Sequence, residues 1–384
     1  MWVMSRRRGL VLGAGGFLGA AWMLGALAAL QEATSWDARE ADLMVGTSAG
    51  SVLAGLLRAG VSVDDLYGQH CGEQVTDELT ALPESPPAGL PFDLLDEPCW
   101  PGLPEFGFGS APLVARVAKS PLRFSPTAVC AALLPRGRRA PTRIGKLIED
   151  AGHSDRWPDA TWVVAMDYHT GARVPFGRPD SPAAPLARAV MASCAVPAWY
   201  SPVRIGPVPY IDGGVCSPCN ADLLAAADLD EVFVLAPMAS VELDSPRSPL
   251  AWLERRFRRS VTKRLHRELG RLESRGTRVT LLTPNAADLA AMGVNMMDGA
   301  RREEVLRTAR DSVDRYLAYT GEPSVTSAQG AVPAEMPVKV PVAALVKASV
   351  TASVTASVKN QVTARAEAAR TKNVGASGPL FGAA

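Results

Sequence analysis

The sequence predicts an α/β protein built around a mostly parallel sheet. Short apolar runs, typical of buried strands, alternate with longer segments of helical pattern. The first run is RGLVL at residues 8–12, followed by a glycine turn and a helix over 19–32; the second, ADLMV, ends before Ser48 and leads into a helix that reaches about Ala59. Alternation of strand and helix places consecutive strands side by side and parallel.

Three later apolar runs add strands to this sheet. They are TWVVAMD at 161–167, EVFVLAP at 231–237 and RVTLLTP at 278–284, and helical or turn sequence follows each of them. The sheet therefore gathers strands from about 280 residues of the chain.

Two segments interrupt the pattern. Residues 83–141 are rich in proline, and we expect an ordered loop inserted into a domain that spans 1–322; it is our candidate for a lid or wall along an acyl chain. The apolar residues that suggest this role are Phe92, Leu94, Leu95, Trp100, Phe106 and Phe108. Residues 323–384, with the repeat ASVTASVTASV, predict a low-complexity, disordered tail.

Composition limits the classes of function. The 384 residues are 47% hydrophobic and 21% charged, which is typical of a globular protein with a large core. The net charge of +1 provides no overall attraction to nucleic acid, which is not an expected partner. The six cysteines are scattered through a chain too large to need disulfides for stability, so we expect reduced thiols in the cytoplasm. Cys216-Ser-Pro-Cys219 has neither a second pair nor nearby histidines, so we expect no metal site.

The N-terminal segment resembles a targeting signal. Arg6, Arg7 and Arg8 precede the uncharged residues 9–30, as in a signal peptide or a membrane span. Five glycines interrupt that apolar run, which favours a strand, a turn and a buried helix that stay in the folded protein.

Residues 251–275 predict a strongly basic amphipathic helix. Its apolar positions, spaced by three or four, are Leu253, Phe257, Val261, Leu265, Leu269 and Leu272. Its basic residues are Arg255, Arg256, Arg258, Arg259, Lys263, Arg264, Arg267 and Arg271. The first interpretation is a packed helix with a solvated basic face, and the second is contact with acidic headgroups, which would make a cytoplasmic protein peripheral to the membrane.

A candidate nucleophile lies between the second strand and its helix. Residues 46–50, Gly-Thr-Ser-Ala-Gly, match the pattern G-x-S-x-G, in which the flanking glycines allow a strained turn that presents the serine. A serine hydroxyl needs a base to remove its proton and hydrogen-bond donors for the oxyanion that forms. The pattern therefore predicts that Ser48 is a nucleophile.

The base could be a histidine or a carboxylate. His169 and His266 fit the chain order of a serine, acid and histidine triad, but their neighbours do not mark either as a positioned base. Asp212 ends an apolar stretch and precedes Gly213 and Gly214, a turn that could present its carboxylate to a cleft. Asp-Gly-Gly is also a common hairpin turn, so a structural role stays open.

A glycine-rich loop, GAGGFLG at residues 13–19, could present successive N–H groups to an anion. It satisfies G-x-G-x-x-x-G through Gly19, which suits an NADP-dependent reductase. No tyrosine is followed four residues later by lysine, as such a reductase would require. An oxyanion is therefore the favoured ligand.

Together these stretches resemble the patatin-like phospholipase family, as do MASCAVPAWYSPV at 191–203 and CNADLL at 219–224. The resemblance implies a three-layer α/β/α fold that hydrolyses acyl esters of lipids, in the manner of phospholipase A or a lysophospholipase, without metal or cofactor. It implies a catalytic pair of Ser48 and Asp212. The backbone N–H groups of Ala14, Gly15 and Gly16 would form the oxyanion hole. The supporting turn residues would be Gly13, Gly46, Gly50, Gly213 and Gly214.

The loop departs from the family pattern at two positions. Ala14 replaces a glycine, which is harmless if its φ is negative, and Leu18 stands where the family has arginine. A catalytically silent lipid-binding or scaffolding protein on the same fold is the alternative from another class.

Overall fold

The computed structural model describes residues 6–71, 108–152, 156–241 and 249–320. Residues 83–107, which include all but Phe108 of the proposed lid's apolar residues, lie outside the described residues, as does the tail at 323–384. The lid and the disordered tail therefore stay predictions.

The described part of the chain contains an eight-stranded sheet with helices on both faces. The strands are β1 (Arg8–Leu12), β2 (Leu43–Thr47), β3 (Thr161–Asp167), β4 (Arg173–Phe176), β5 (Val203–Ile205), β6 (Val208–Asp212), β7 (Glu231–Leu235) and β8 (Arg278–Leu282). The helices are α1 (Gly16–Thr34), α2 (Ala49–Arg58), α3 (Val63–Cys71), α4 (Ala111–Lys119), α5 (Pro126–Leu133), α6 (Thr142–Asp150), α7 (Leu186–Ser193), α8 (Pro249–Glu273), α9 (Ala286–Met292) and α10 (Arg302–Thr320). All five predicted strands form within two residues of their expected ends.

The sheet is mostly parallel, as predicted. Its order is β5-β6-β3-β2-β1-β7-β8, and β4 also pairs with β3. The pairings that join β3, β2, β1, β7 and β8 are parallel, whereas β4, β5 and β6 form antiparallel pairs.

Alternate residues of the central strands enter two separate cores. Leu10 and Leu12 of β1 pack with α1, α2, α9 and α10, while Val11 packs on the other face with α8. Because side chains of a strand point alternately to its two faces, one uninterrupted apolar strand serves both helical layers. The three-layer α/β/α arrangement is confirmed.

The uncharged N-terminal run forms β1, a glycine turn and α1, as the glycine pattern predicts. Among the described residues, α1 is the one helix whose length and hydropathy would allow it to cross a membrane. In this fold 78% of that apolar window is buried inside the protein, and α10 supplies most of the packing.

The described part of the proline-rich insertion is not a simple loop, because it contains α4 and α5. Ser110 accepts a hydrogen bond from the Leu113 N–H, and Ser125 accepts one from the Ala128 N–H, so both serines cap helix N-termini. A proline in the first turn follows each serine. Serine before proline is a helix-start signal, so the prolines here begin helices.

The predicted basic helix is confirmed as α8, but the expected solvated face is wrong for two of its arginines. Arg255 is 8% exposed and Arg258 is 0% exposed. Both form ion pairs with Glu254, and the Arg258 guanidinium also reaches backbone carbonyls. A charged side chain can be buried when such partners replace its water.

Candidate active site

The glycine-rich loop and Ser48 each follow the carboxyl end of one of two adjacent strands. Leu12, the last residue of β1, pairs with Gly46 of β2 in parallel register. The chain leaves β1 into the glycine-rich loop and leaves β2 into Ser48, so both lie at the carboxyl ends of adjacent strands. This edge is where ligands bind in open parallel sheets.

The register along β3 brings Asp212 to the same place. β2 pairs with β3 as far as Val164, and β6 pairs with β3 from Ala165 onward. β4 pairs with both Val164 and Ala165, so it occupies the opposite edge of β3. β2 and β6 therefore meet end to end along one edge, with Thr47 opposite Val164 and Asp212 opposite Ala165.

Ser48 sits on a strained turn. Its φ is 51° and its ψ is −121°, a backbone conformation that few residues other than glycine adopt. A Cβ on Gly50 would lie 2.0 Å from the Leu12 carbonyl oxygen, and one on Gly46 would lie 2.6 Å from the Ser51 Cα. Both glycines are needed because the turn packs directly against β1 and α2.

Ser193 holds the backbone of this turn. Its Oγ accepts a hydrogen bond from the Ser48 N–H at 2.8 Å and donates one to the Val164 carbonyl at 2.7 Å. Ser193 is completely buried at the end of α7. No motif in the sequence marked it, although the stretch 191–203 that carried the family resemblance contains it.

Asp212 is buried beside Ser48. Burial raises the pKa of its carboxyl to about 6, and hydrogen bonding from the Ser48 hydroxyl and the Gly214 N–H opposes that rise. The Gly214 N–H lies 2.7 Å from Oδ1. The Ser48 hydroxyl and the Gly214 N–H are therefore both hydrogen-bonding neighbours of this carboxylate.

The Asp-Gly-Gly sequence forms a 3₁₀ turn over Gly213–Val215, so the hairpin alternative is wrong. A Cβ on Gly213 would lie 2.2 Å from the Val164 carbonyl oxygen. One on Gly214 would lie 3.2 Å from the Ala14 Cβ, so this turn packs against the glycine-rich loop. The three stretches chosen from the sequence therefore converge.

The N–H groups of the glycine-rich loop differ in their partners. The Gly13 N–H donates to the Leu235 carbonyl at 3.0 Å, and the Ala14 N–H donates to the Pro218 carbonyl at 2.7 Å. Within the described ranges, the N–H groups of Gly15 and Gly16 donate to no protein acceptor. They lie at the N-terminus of α1, where the helix dipole favours an anion.

The two departures from the family pattern fit this backbone. Ala14 is not among the residues with positive φ, so its Cβ causes no strain, whereas Gly16 has a φ of 60°. Leu18, in the first turn of α1, is completely buried in the core on that side of the sheet. Its N–H donates to the Met296 carbonyl at 2.9 Å. Position 18 therefore faces the core, where leucine is suitable.

A buried thiol adjoins the nucleophile. Cys194 contacts the hydroxyls of Ser48 and Ser51. Burial and the nearby Asp212 carboxylate raise the pKa of this thiol, so it stays protonated and unreactive at neutral pH. Cys194 lies in the stretch 191–203 that carried the family resemblance, but nothing in the sequence placed it beside Ser48.

The described residues show neither a metal site nor a histidine at Ser48. Within the described ranges, no group of three or more His, Cys, Asp or Glu side chains is placed to hold a metal ion. His266 is exposed on α8, and the backbone N–H of His169 donates to the Asp167 carboxylate. The carboxylate next to the Ser48 hydroxyl belongs to Asp212.

A serine on a strained turn at the carboxyl edge of a mostly parallel sheet is typical of α/β enzymes that cleave esters. The sequence profile of the family described as patatin-like phospholipase matches residues 10–225, which is more than half of the chain. The chain belongs to the patatin-like phospholipase family and is a hydrolase of carboxylic ester bonds in lipids.

Two solved structures show weaker similarity. VipD from Legionella pneumophila is 13% identical with a TM-score of 0.35, covering 82% of this chain and 67% of its own. The type III effector protein ExoU is 16% identical with a TM-score of 0.31, covering 98% of this chain and 67% of its own. No curated protein sequence matches the chain.

Proposed function

We propose that the protein releases fatty acids from glycerolipids, as a phospholipase A or lysophospholipase does, with Ser48 as the nucleophile and Asp212 as its base. One observation carries the proposal: a strained, buried serine meets a buried carboxylate whose pKa is raised to about 6. A base with that pKa is ionised at neutral pH and still accepts a proton readily.

The proposed reaction has two halves. Asp212 takes the hydroxyl proton while the Ser48 oxygen attacks the ester carbonyl, and the N–H groups of Gly15 and Gly16 stabilise the resulting oxyanion. Collapse of that intermediate breaks the ester bond, and the leaving alcohol takes the proton from Asp212. Asp212 then removes a proton from water, whose oxygen attacks the acyl-serine carbonyl. When this second intermediate collapses, the bond to the Ser48 oxygen breaks, that oxygen takes the proton back from Asp212, and the fatty acid is released.

The direct test is hydrolysis of phosphatidylcholine and lysophosphatidylcholine vesicles, followed by measurement of free fatty acid. Ser48→Ala should lower the rate at least about 10³-fold, because the nucleophile is lost. Ser260→Ala, at an exposed position of α8, is the matched control and should keep full activity. Lipid binding without fatty acid release by the folded protein would instead favour the silent scaffold.

We also propose that the protein is cytoplasmic and docks on acidic membrane surfaces through a basic face formed by Arg259, Lys263 and Arg267. All three are exposed on α8, and none has an acidic partner among the described residues. Near its N-terminus, α8 also exposes Trp252, with the Arg256 guanidinium 4.9 Å from the ring centroid. Exposed cations beside an amphipathic aromatic ring suit an interface with acidic lipid headgroups.

Sedimentation with vesicles tests this docking. The double variant Arg259→Gln with Lys263→Gln should bind phosphatidylserine vesicles about 30-fold more weakly, because each cation near an acidic surface contributes about 1 kcal/mol. Arg307→Gln with Arg315→Gln removes the same charge from exposed positions of α10 and should bind normally. Equal losses in both variants would refute a specific basic face.

A further inference from the structure

Arg258 is a completely buried arginine, and two of the residues it contacts also pack against the glycine-rich loop. Its Nη1 donates to the Pro237 carbonyl and lies 3.4 Å from the Ala239 carbonyl oxygen. Its Nη2 lies 3.6 Å from the Met296 Sδ. Its Nε pairs with Glu254, so the charge is compensated inside the protein.

Two of these contacts also touch the loop. A Cβ on Gly15 would lie 2.8 Å from the Pro237 ring, so that ring packs directly on the loop backbone. On the other side, the Met296 carbonyl accepts the Leu18 N–H at 2.9 Å and lies 3.3 Å from a Cβ placed on Gly16. Arg258 therefore contacts Pro237 and Met296, the two residues that pack against Gly15 and Gly16.

We propose that Arg258 is a positioning residue that fixes the glycine-rich loop for oxyanion binding. This proposal rests on the function proposed for Gly15 and Gly16. Their N–H groups have no protein acceptor within the described ranges to fix their direction, so the packing behind them must do so. A planar guanidinium can contact the Pro237 carbonyl and the Met296 side chain at the same time, whereas the point charge of lysine cannot.

The test replaces Arg258 together with Glu254. Removing Arg258 alone would take away one of the two cationic partners of the mostly buried Glu254 carboxylate, which also pairs with Arg255. Glu254→Gln with Arg258→Met keeps the volume, removes one charge of each sign, and leaves an amide oxygen that can accept a hydrogen bond from Arg255. We expect kcat to fall about 10- to 100-fold with KM changed less than about twofold, because small displacements of catalytic groups cost that much.

The matched control is Arg8→Met with Glu231→Gln. This ion pair, at 3.2 Å, joins the starts of β1 and β7, at the end of β7 opposite Pro237. The control should lose comparable stability and keep its kcat. Equal kcat losses in the two double variants would overturn the proposal, because they would show a general effect on the fold.

A second readout does not depend on activity. Hydrogen–deuterium exchange at Leu18 and Gly19 should be about tenfold faster in the Arg258 double variant than in wild type, and unchanged in the control. Unchanged exchange would overturn the positioning role. Absence of ester hydrolysis by the wild type would refute the proposed function, while the exchange rates would still report on the loop.

Discussion

Replacing Asp212 by asparagine should make the protein more stable while it abolishes activity. The amide oxygen of asparagine can still accept the Gly214 N–H, which bonds to Oδ1 at 2.7 Å, so the turn stays intact. The change removes a negative charge from a site where the side chain is 5% exposed. It also removes the proposed base.

The magnitude follows from the raised pKa. A carboxyl whose pKa rises from 3.8 to about 6 on folding is disfavoured in its ionised form. At about 1.4 kcal/mol per pKa unit, the cost is about 3 kcal/mol at pH 8. The cost is fully present above pH 6 and disappears as the pH falls below 3.8, since the carboxyl is then protonated in both states.

Urea unfolding of wild type and Asp212→Asn at pH 8 measures this difference. The variant should have the larger free energy of unfolding, by up to about 3 kcal/mol, and the gain should shrink towards pH 4. Fatty acid release should fall by several orders of magnitude. A variant that is less stable than wild type at pH 8, or that stays active, would refute the reasoning.

Three further predictions concern the same site. The value of kcat/KM for an uncharged ester should rise with pH through about 6, because Asp212 must be deprotonated to act as a base; a flat profile between pH 4 and pH 8 would contradict that role. Ser193→Ala should lower the free energy of unfolding by about 1–3 kcal/mol and reduce kcat, because the Ser48 N–H loses its acceptor; urea unfolding and steady-state kinetics measure both. Gly50→Ala should prevent folding, since its Cβ would meet a carbonyl oxygen at 2.0 Å, whereas Gly270→Ala, with open space around it, should stabilise α8 by about 1 kcal/mol; circular dichroism melts compare the two.

The sequence predicted the parts of the fold and site that local physics determines. The central strands are continuous apolar runs because both faces of the sheet are covered, and this pattern is visible along the chain. Ser48 and Asp212 could be chosen because each adjoins glycines that a tight turn requires. Their approach depends on the register of β2 and β6 along β3, which the sequence pattern did not specify.

The residues that sequence reasoning missed act through contacts distant in the chain. Ser193 accepts a hydrogen bond from a backbone N–H that lies 145 positions earlier in the chain. A single serine among small residues forms no sequence motif that would predict this contact. Arg258 resembles its solvated neighbours on α8, and its burial depends on the Pro237 carbonyl. The Ala14 N–H, assigned to the oxyanion hole, is occupied by the Pro218 carbonyl because of tertiary packing alone.

The central claim is that Ser48 is the nucleophile and that Asp212 activates it. The most direct measurement is mass-spectrometric mapping of the covalent adduct after the folded protein reacts with a fluorophosphonate, followed at several pH values. A phosphonyl group should appear on the Ser48 oxygen, and it should form faster as the pH rises through about 6 and much more slowly in Asp212→Asn. An adduct on another residue, or a Ser48 adduct that forms equally fast in Asp212→Asn, would contradict the central claim.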